Sequence, residues 1–365
     1  MGGTDRMNRE QFYAATARLG EAALRKALWT VYWRGTAAVR ERIEDILAPD
    51  PAAAAAARTA EQAPDPAEVL EAVREFTGLV RSGDYLGGSR AVRPKERSQW
   101  RFTFRRLLAQ ARSGLAAEDP EPAEAALTEM IDLACEFRDY DYVRSEDPIE
   151  AASVVVSDEV AALWRHLLEH RGFTGFAAVA AEQFVRWESR YGWTRSGWGA
   201  ISQRESQLAD VLAGQLTVPD TWVVFTQEYL RALDGLVPVP PAPARGRGSD
   251  YAAEQRRRDL EYRLGRRTET LTGWHLTLLD RFVGTDDEAL LDRIASHAAL
   301  GGPEQTYFRA RLAHARGDLP AARELVQQAL ERLPGHSGFL AFARQIDAPL
   351  PASAVAVAAS RRLPS

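Results

Sequence analysis

The sequence is poor in cysteine, the residue that forms disulfides and many structural metal sites. It contains a single cysteine, Cys135, among 365 residues. A lone cysteine excludes an intramolecular disulfide and any zinc or iron–sulfur site that needs several cysteines. Lysine is also scarce, with only Lys26 and Lys95 among 46 basic residues, so arginine carries almost all of the positive charge. We attribute the arginine and alanine bias to a GC-rich bacterial genome, and the bias alone is weak support for a binding function.

Several other sequence features are absent, and each absence narrows the class of protein. No segment approaches the roughly 18 apolar residues of a membrane span, and the opening MGGTDRMNREQF lacks the basic start and apolar region of a secretory signal. Neither G-x-G-x-x-G nor G-x-x-x-x-G-K-[S/T] occurs, so the common phosphate-binding loops are missing. The net charge of −5 gives no general attraction to nucleic acid or to acidic membranes. These features predict a cytoplasmic protein without membrane association and without a cofactor.

Helical periodicity is what the sequence has in abundance. Apolar residues return every three or four positions along most of the chain, and no segment shows convincing strand alternation. A typical example is the stripe formed by Val69, Val73, Phe76 and Val80. We therefore predict an all-α fold in which helical hairpins stack into an irregular α-solenoid or a bundle.

Capping residues predict where several helices begin. Asp65 and Asp147 each precede a proline and, three residues on, an acid, which is a typical helix start. Ser157 is expected to cap a helix that ends near Gly172, and the next helix then begins at Thr174. Ser202 and Glu205 have the spacing of a capping box ahead of the apolar residues that begin at Leu208.

Two proline-rich stretches predict the domain boundaries. Residues 49–66 contain no apolar side chain larger than alanine, and the run VPVPPAPARGRGS from Val237 to Ser249 cannot form regular structure. We predict an N-terminal helical unit at 1–48, a linker at 49–66 and a central helical domain at 67–236. A second linker at 237–250 then leads to a helical domain at 251–346 and a flexible tail at 347–365.

The last helical segment carries a recognisable pattern of small residues. In YFRARLAHARGDLPAARELVQQALERLP, Ala310 and Ala313 lie in the first helix, Gly317 and Asp318 at the turn, Ala322 and Ala329 in the second helix, and Pro334 at the end. This segment, about 306–334, resembles a tetratricopeptide-like helical repeat. The resemblance implies a TPR-like helical hairpin in the C-terminal part of the fold.

A basic segment from Arg90 to Arg112 is the first candidate binding surface. It holds eight basic residues and the single acid Glu96. A helix beginning near Pro94 would stack three arginines on one face, beside the apolar side that contains Trp100 and Phe104. Such a face can bind phosphates or an acidic partner, or it can pair with acids elsewhere in the chain. The candidate residues are Arg93, Lys95, Arg97, Arg101 and Arg105.

A second candidate surface is the aromatic, arginine-rich and glycine-containing run RWESRYGWTRSGWG. Arginine and aromatic residues dominate the hot spots of protein interfaces. The alternative is that the tryptophans fill junctions between helices while arginines stack on them. The candidate residues are Trp187, Arg190, Tyr191, Trp193, Arg195 and Trp198.

Two further patterns suggest chemistry. His166, Glu169 and His170 spell H-L-L-E-H, which resembles the inverted zinc-peptidase motif of the insulin-degrading and mitochondrial processing peptidase family. That family has another glutamate ligand some seventy to eighty residues downstream, where this chain has the acid-free linker, and packing beside Leu163 and Leu167 is the other interpretation. The acidic cluster between Asp139 and Asp147 fits either a cation site or a network of ion pairs.

Taken together, these patterns predict a noncatalytic helical scaffold or adaptor that binds a protein partner. One alternative is a nucleic-acid-associated accessory protein that uses the Arg93–Arg105 basic face. A second is a metal-dependent hydrolase that uses His166, Glu169 and His170. We predict no catalytic residue and no metal ligand, and the oligomeric state stays open.

Overall fold

The computed structural model describes residues 9–35, 65–87, 91–138, 140–191, 199–237 and 249–360, with a few isolated positions between 39 and 47. These residues form sixteen α-helices and one 3-10 turn, and no β-strand occurs among them. The predicted all-α fold is confirmed. None of the described helices combines the length with the apolar composition that a membrane span requires.

The helices divide between two compact units, Met1–Pro64 and Asp65–Ser365. The first contains α1 (Arg9–Thr16) and α2 (Glu21–Arg34). The second contains α3 (Pro66–Arg81), α4 (Pro94–Arg97), α5 (Trp100–Gly114), α6 (Glu121–Glu136), α7 (Pro148–Ala152), α8 (Val156–Tyr191), α9 (Leu208–Ala213), α10 (Pro219–Asp234), α11 (Ser249–Phe282), α12 (Ala289–Ala295), α13 (Gly302–Ala315), α14 (Leu319–Arg332), α15 (Ser337–Gln345) and α16 (Ala352–Ser360). The 3-10 turn is Ser202–Arg204.

The first unit exposes most of its described aromatic residues. Helix α2 buries none of its side chains, and Trp29 stacks on Tyr32 and Trp33 with ring centroids 5.6 and 5.7 Å apart. Most of the predicted linker at 49–66 lies outside the described residues, and its last two positions form the start of α3.

Helix α3 begins where the sequence predicts it. The side chain of Asp65 accepts a hydrogen bond from the Ala67 amide at 3.0 Å, and Pro66 occupies the first turn. The predicted stripe from Val69 to Val80 is buried against α5 and α6. The capping residues and the apolar spacing both predict this helix, so residues close together in the sequence determine where it begins and which face it buries.

Helix α8 is the element that most of the second unit packs around, since it contacts α5, α6, α9, α10 and α11. It bends at Gly172, whose φ of 64° and ψ of 177° are not helical. This bend is where one predicted helix ends and the next begins. Because such a backbone conformation is nearly restricted to glycine, the residue type fixes the position of the bend.

The start of α8 is capped by a residue distant in sequence, which corrects two predictions. The carboxylate of Glu205 accepts hydrogen bonds from the amides of Val156 and Ser157 at 2.8 and 2.9 Å. Ser157 does not cap the helix with its own hydroxyl, which instead accepts a hydrogen bond from the Ser206 amide at 3.0 Å. Glu205 therefore does not complete a capping box with Ser202, because it serves a helix that begins 49 residues earlier in the chain.

A single hydrophobic core crosses the predicted linker at 237–250. Trp274 of α11 lies 5.6 Å from Phe184 of α8, 5.7 Å from Trp222 and 5.6 Å from Phe225 of α10, measured between ring centroids. The predicted domain at 251–346 is consequently not a separate core, because α11 buries its apolar face against helices that precede the linker.

A second hydrophobic cluster lies at the C-terminal end and includes residues of the predicted flexible tail. Tyr307, Val326 and Phe339 are among its members, and they come from α13, α14 and α15. Within the predicted tail 347–365, Ala348 and Ala354 are buried in this cluster and residues 352–360 form α16. The tail is thus partly helical and packed against α14.

Candidate functional site

The basic segment does not form one continuous helix. The helix predicted to begin near Pro94 is interrupted by a turn at Ser98 and Gln99, which separates α4 from α5. Arg97 is therefore on α4, where its Nε donates to the Val92 carbonyl at 3.3 Å. The predicted stack of three arginines is reduced to Arg101 and Arg105, which lie on α5.

The remaining residues of the segment differ in their surroundings. Arg93 forms a long, exposed ion pair with Glu96, with the two charged groups 3.9 Å apart. Lys95 is exposed on α4. An exposed ion pair of this kind contributes little to stability.

Helix α5 presents a cluster of one aromatic ring and two cations to solvent. The guanidinium carbon of Arg101 lies 4.9 Å from the ring centroid of Phe102, and that of Arg105 lies 5.0 Å from the same centroid. Phe102 retains 46% of its accessible surface. We name Arg101, Phe102 and Arg105 the Arg–Phe cluster. Its helix is fixed by the opposite face, where Trp100, Phe104, Leu107, Leu108 and Ala111 are buried.

The charges of the Arg–Phe cluster are not neutralised by the part of the chain that the structure describes. Neither Arg101 nor Arg105 forms an ion pair with any described carboxylate. The cation–π contacts restrict both guanidinium groups before a partner arrives, which lowers the entropy cost of binding. An exposed ring held between two cations suits an acidic segment that also carries an apolar side chain.

An open groove of about 790 Å³ adjoins the cluster on the side of Arg105. Leu108, Val154 and Val155 provide apolar lining. Its charged residues are mixed in sign: Arg105, Arg112, Arg204, Asp158 and Glu159. Arg112 and Glu159 pair at 3.0 Å, and burial is the main cause of the raised pKa of Glu159. The groove therefore offers both donors and acceptors beside the Arg–Phe cluster.

Trp187 is buried and cannot contact a partner, so its place among the surface candidates is wrong. Its side chain is fully buried, stacks on Trp164 at 6.2 Å between ring centroids, and donates from Nε1 to Asp132 at 2.7 Å. Arg186 also pairs with Asp132 at 3.0 Å. The packing alternative describes Trp187 correctly.

The other candidates in this run lie outside the described residues. This holds for the side chains of Arg190 and Tyr191, and for the whole of Trp193, Arg195 and Trp198. Their role as a binding surface stays a prediction.

The H-L-L-E-H residues lie on α8, and both of its histidines make contacts within the fold while Glu169 is exposed. His166 is buried, and its Nε2 is 3.0 Å from a carboxylate oxygen of Glu124, which also pairs with Arg171. His170 stacks on His166 at 4.0 Å between ring centroids, and its Nδ1 is 3.1 Å from the His166 carbonyl oxygen. Within the described ranges, no group of three or more His, Cys, Asp or Glu side chains is arranged to hold a metal ion.

The acidic cluster between Asp139 and Asp147 lies only partly within the described residues. Asp147 caps α7 as predicted, with its carboxylate accepting from the Glu150 amide at 3.0 Å. Tyr140 and Tyr142 stack at 5.4 Å between ring centroids. Asp139 lies outside the described residues. Of the four acids in this segment, Asp147 has a structural role as a helix cap.

Comparison with protein-family models, curated proteins and solved structures finds no match to this chain.

Phe102 is the functional candidate that sequence patterns miss. It lies next to the apolar stripe of α5 but outside its spacing, so periodicity alone gives it no role. An exposed aromatic residue flanked by arginines at i−1 and i+3 is the signal that would have identified it, because those positions let both guanidinium groups reach the ring.

Proposed function

We propose that this protein is a noncatalytic helical scaffold that binds a protein partner through the Arg–Phe cluster. The observation that supports this function best is the exposed ring of Phe102 between two arginines without a described ionic partner. Arginine and aromatic side chains supply most of the energy at protein interfaces. The partner segment is acidic and carries at least one apolar side chain.

The mixed charge of the adjoining groove favours a protein over a nucleic acid. Asp158 and Glu159 line the groove beside Arg105, and the whole chain carries a net charge of −5. A phosphate backbone would approach these carboxylates unfavourably, whereas a polypeptide can place an amide or a basic side chain against them. Nucleic-acid binding through the same arginines is therefore the alternative that the experiment must separate.

The C-terminal hairpin supports the scaffold function. Ala310, Ala322 and Ala329 are fully buried where α13 and α14 pack together, Gly317 has a φ of 81° at the turn, and Asp318 caps α14. Small residues at these positions are what a tetratricopeptide-like repeat requires. We include such a TPR-like part in the proposal.

The test compares the capture of cellular partners by four forms of the full chain. One variant is Phe102→Ala and another is the double change Arg101→Gln with Arg105→Gln. The matched controls are Tyr262→Ala, which removes another exposed aromatic ring, and Arg258→Gln, which removes a cation from α11. A hot-spot residue contributes about 2 kcal/mol, so each cluster variant should retain the partner roughly 30-fold more weakly.

The expected result is a protein that both controls retain and both cluster variants lose, with or without nuclease treatment. Retention of the same protein by the cluster variants contradicts the proposal. Loss of the captured material on nuclease treatment favours the nucleic-acid alternative instead. Circular dichroism should show unchanged folding, because the three substituted side chains are exposed.

A further inference from the structure

A second concentration of arginine lies where α8, α10 and α11 meet. A pocket of about 540 Å³ opens there. Five arginines line it: Arg186, Arg231, Arg263, Arg266 and Arg267. Glu182 is the one acid among the described lining residues, and Val185, Ala232 and Leu236 provide an apolar wall. We name this the arginine pocket. These residues come from three distant segments, so no local sequence pattern identifies the set.

Arg186 and Arg231 already have carboxylate partners. Arg186 pairs with Asp132 at 3.0 Å, and Arg231 pairs with Glu228. Arg263 and Arg267 pair with no carboxylate of the described residues, and Arg263 donates from Nε only to the main-chain carbonyl of Asp259, at 3.3 Å. The positive charge that lacks a partner is therefore carried by these two positions of α11.

Arg267 is held in place while its charge stays uncompensated. Its Nη1 donates to the carbonyl oxygens of Ala299 at 2.9 Å and Leu236 at 3.4 Å. Burial is the main cause of its lowered pKa, and the Arg263 cation contributes in the same direction. A guanidinium stays charged in a protein, so the fold tolerates a half-buried cation with a like charge one helical turn away. An anion bound between them would offset both unfavourable effects.

The pocket also indicates which anion fits. Guanidinium groups recognise phosphate oxygens through paired hydrogen bonds, and several arginines suit a doubly charged group better than a single carboxylate. The pocket volume lies within the roughly 300–1,000 Å³ of typical small-molecule sites, which is larger than a bare phosphate needs. The apolar wall of Val185, Ala232 and Leu236 then accommodates an organic portion.

We propose that the arginine pocket binds a phosphorylated small molecule, with its phosphate between Arg263 and Arg267 and its organic part against Leu236. This site is separate from the Arg–Phe cluster, so either proposal can fail while the other holds.

Isothermal titration calorimetry of the full chain tests the site with phenyl phosphate, inorganic phosphate and a single-stranded oligonucleotide. Phenyl phosphate should bind saturably and more tightly than inorganic phosphate, because only the ester also uses the apolar wall. Arg263→Gln should weaken the binding of phenyl phosphate at least tenfold. Arg258→Gln, which removes an equal charge from the same helix outside the pocket, should leave it unchanged. Leu236→Ala should weaken the binding of phenyl phosphate and leave the binding of inorganic phosphate unchanged.

Arg263 is exposed and makes no ion pair with a described residue, so Arg263→Gln should leave the fold intact and change only ligand binding. Three results would overturn the proposal. The first is an absence of saturable binding by either phosphate probe at millimolar concentration, and the second is equal weakening by Arg263→Gln and Arg258→Gln. The third is an oligonucleotide that binds more tightly than phenyl phosphate and whose binding is lost in Arg263→Gln. That result would assign the pocket to nucleic acid.

Discussion

Replacing His275 should change how the stability of the second unit depends on pH. His275 of α11 is fully buried, and its Nε2 lies 2.7 Å from the hydroxyl of Tyr229 on α10. Its Nδ1 is buried without a hydrogen-bond partner among the described groups. Burial, with a smaller effect of His297, lowers the pKa of His275 to about 3. The folded protein therefore holds this imidazole neutral under all mild conditions.

The sign and size of the effect follow from proton linkage. The unfolded chain protonates His275 near its ordinary pKa of about 6.5, whereas the folded protein does so only near pH 3. The unfolded state thus binds more protons between these values, and stability falls as the pH falls through this window. Between pH 7 and pH 5 the loss amounts to about 2 kcal/mol.

The assay is urea unfolding followed by tryptophan fluorescence at pH 7, 6 and 5, since Trp222 and Trp274 lie in the core beside this histidine. His275→Gln keeps a polar group near Tyr229 but removes the titration. The variant should be less stable than the wild type at pH 7. On going to pH 5, however, its free energy of unfolding should fall by about 2 kcal/mol less than that of the wild type. Parallel pH dependences in the two proteins would refute the reasoning, because His297 is present in both.

Three further predictions concern single positions. Glu205→Ala should destabilise the second unit by about 2–3 kcal/mol, because two charge-assisted hydrogen bonds at the start of α8 are lost. Glu254→Ala removes only solvent-screened ion pairs within α11 and should cost much less in the same urea titration. Gly172→Ala should destabilise by about 1–3 kcal/mol, since alanine resists this backbone conformation; Gly78→Ala, in an open helical position, should stabilise by about 0.5–1 kcal/mol. Burial raises the pKa of Cys135 well above its ordinary value, so a thiol reagent at pH 8 should modify it only after urea unfolds the protein.

Each of these has a result that would contradict it. Equal losses for Glu205→Ala and Glu254→Ala would show that the long-range cap contributes nothing. Equal effects of the two glycine substitutions would show that the bend is not specific to Gly172. Rapid modification of Cys135 in the native protein would contradict its burial.

Local sequence signals predicted the helices whose determinants are local. Asp65 and Asp147 cap the helices that follow them, and the buried stripe from Val69 to Val80 has the expected members. The bend at Gly172 was also predictable, because glycine and apolar spacing agree there. In each case the residues that decide the structure lie within one or two helical turns of each other.

Predictions failed where a distant residue competes for the same group. Glu205 has capping-box spacing from Ser202, yet its carboxylate binds the first amides of α8. Trp187 belongs to an aromatic and arginine-rich run typical of interfaces, yet α6 supplies Asp132 as the partner of its indole nitrogen. The linker at 237–250 suggested two domains, but Trp274 completes a core that begins before it. Pairings of this kind depend on tertiary structure, which spacing along the chain does not encode.

In the candidate sites, too, local features could be predicted from the sequence and tertiary contacts could not. Arg101 and Arg105 were foreseeable from the basic segment, while the turn at Ser98 that separates them from Arg97 was not. The arginine pocket gathers Arg186, Arg231 and the arginines of α11 only because α8, α10 and α11 pack together.

Photo-crosslinking in cells tests most directly the proposal that Phe102 and its two flanking arginines contact a protein partner. A photoreactive phenylalanine analogue is placed at position 102, and at the exposed position of Tyr262 as the control. We expect a nuclease-resistant protein adduct from position 102 alone, reduced at least tenfold by Arg101→Gln with Arg105→Gln. The same adducts from both positions, or adducts that disappear with nuclease, would contradict the account.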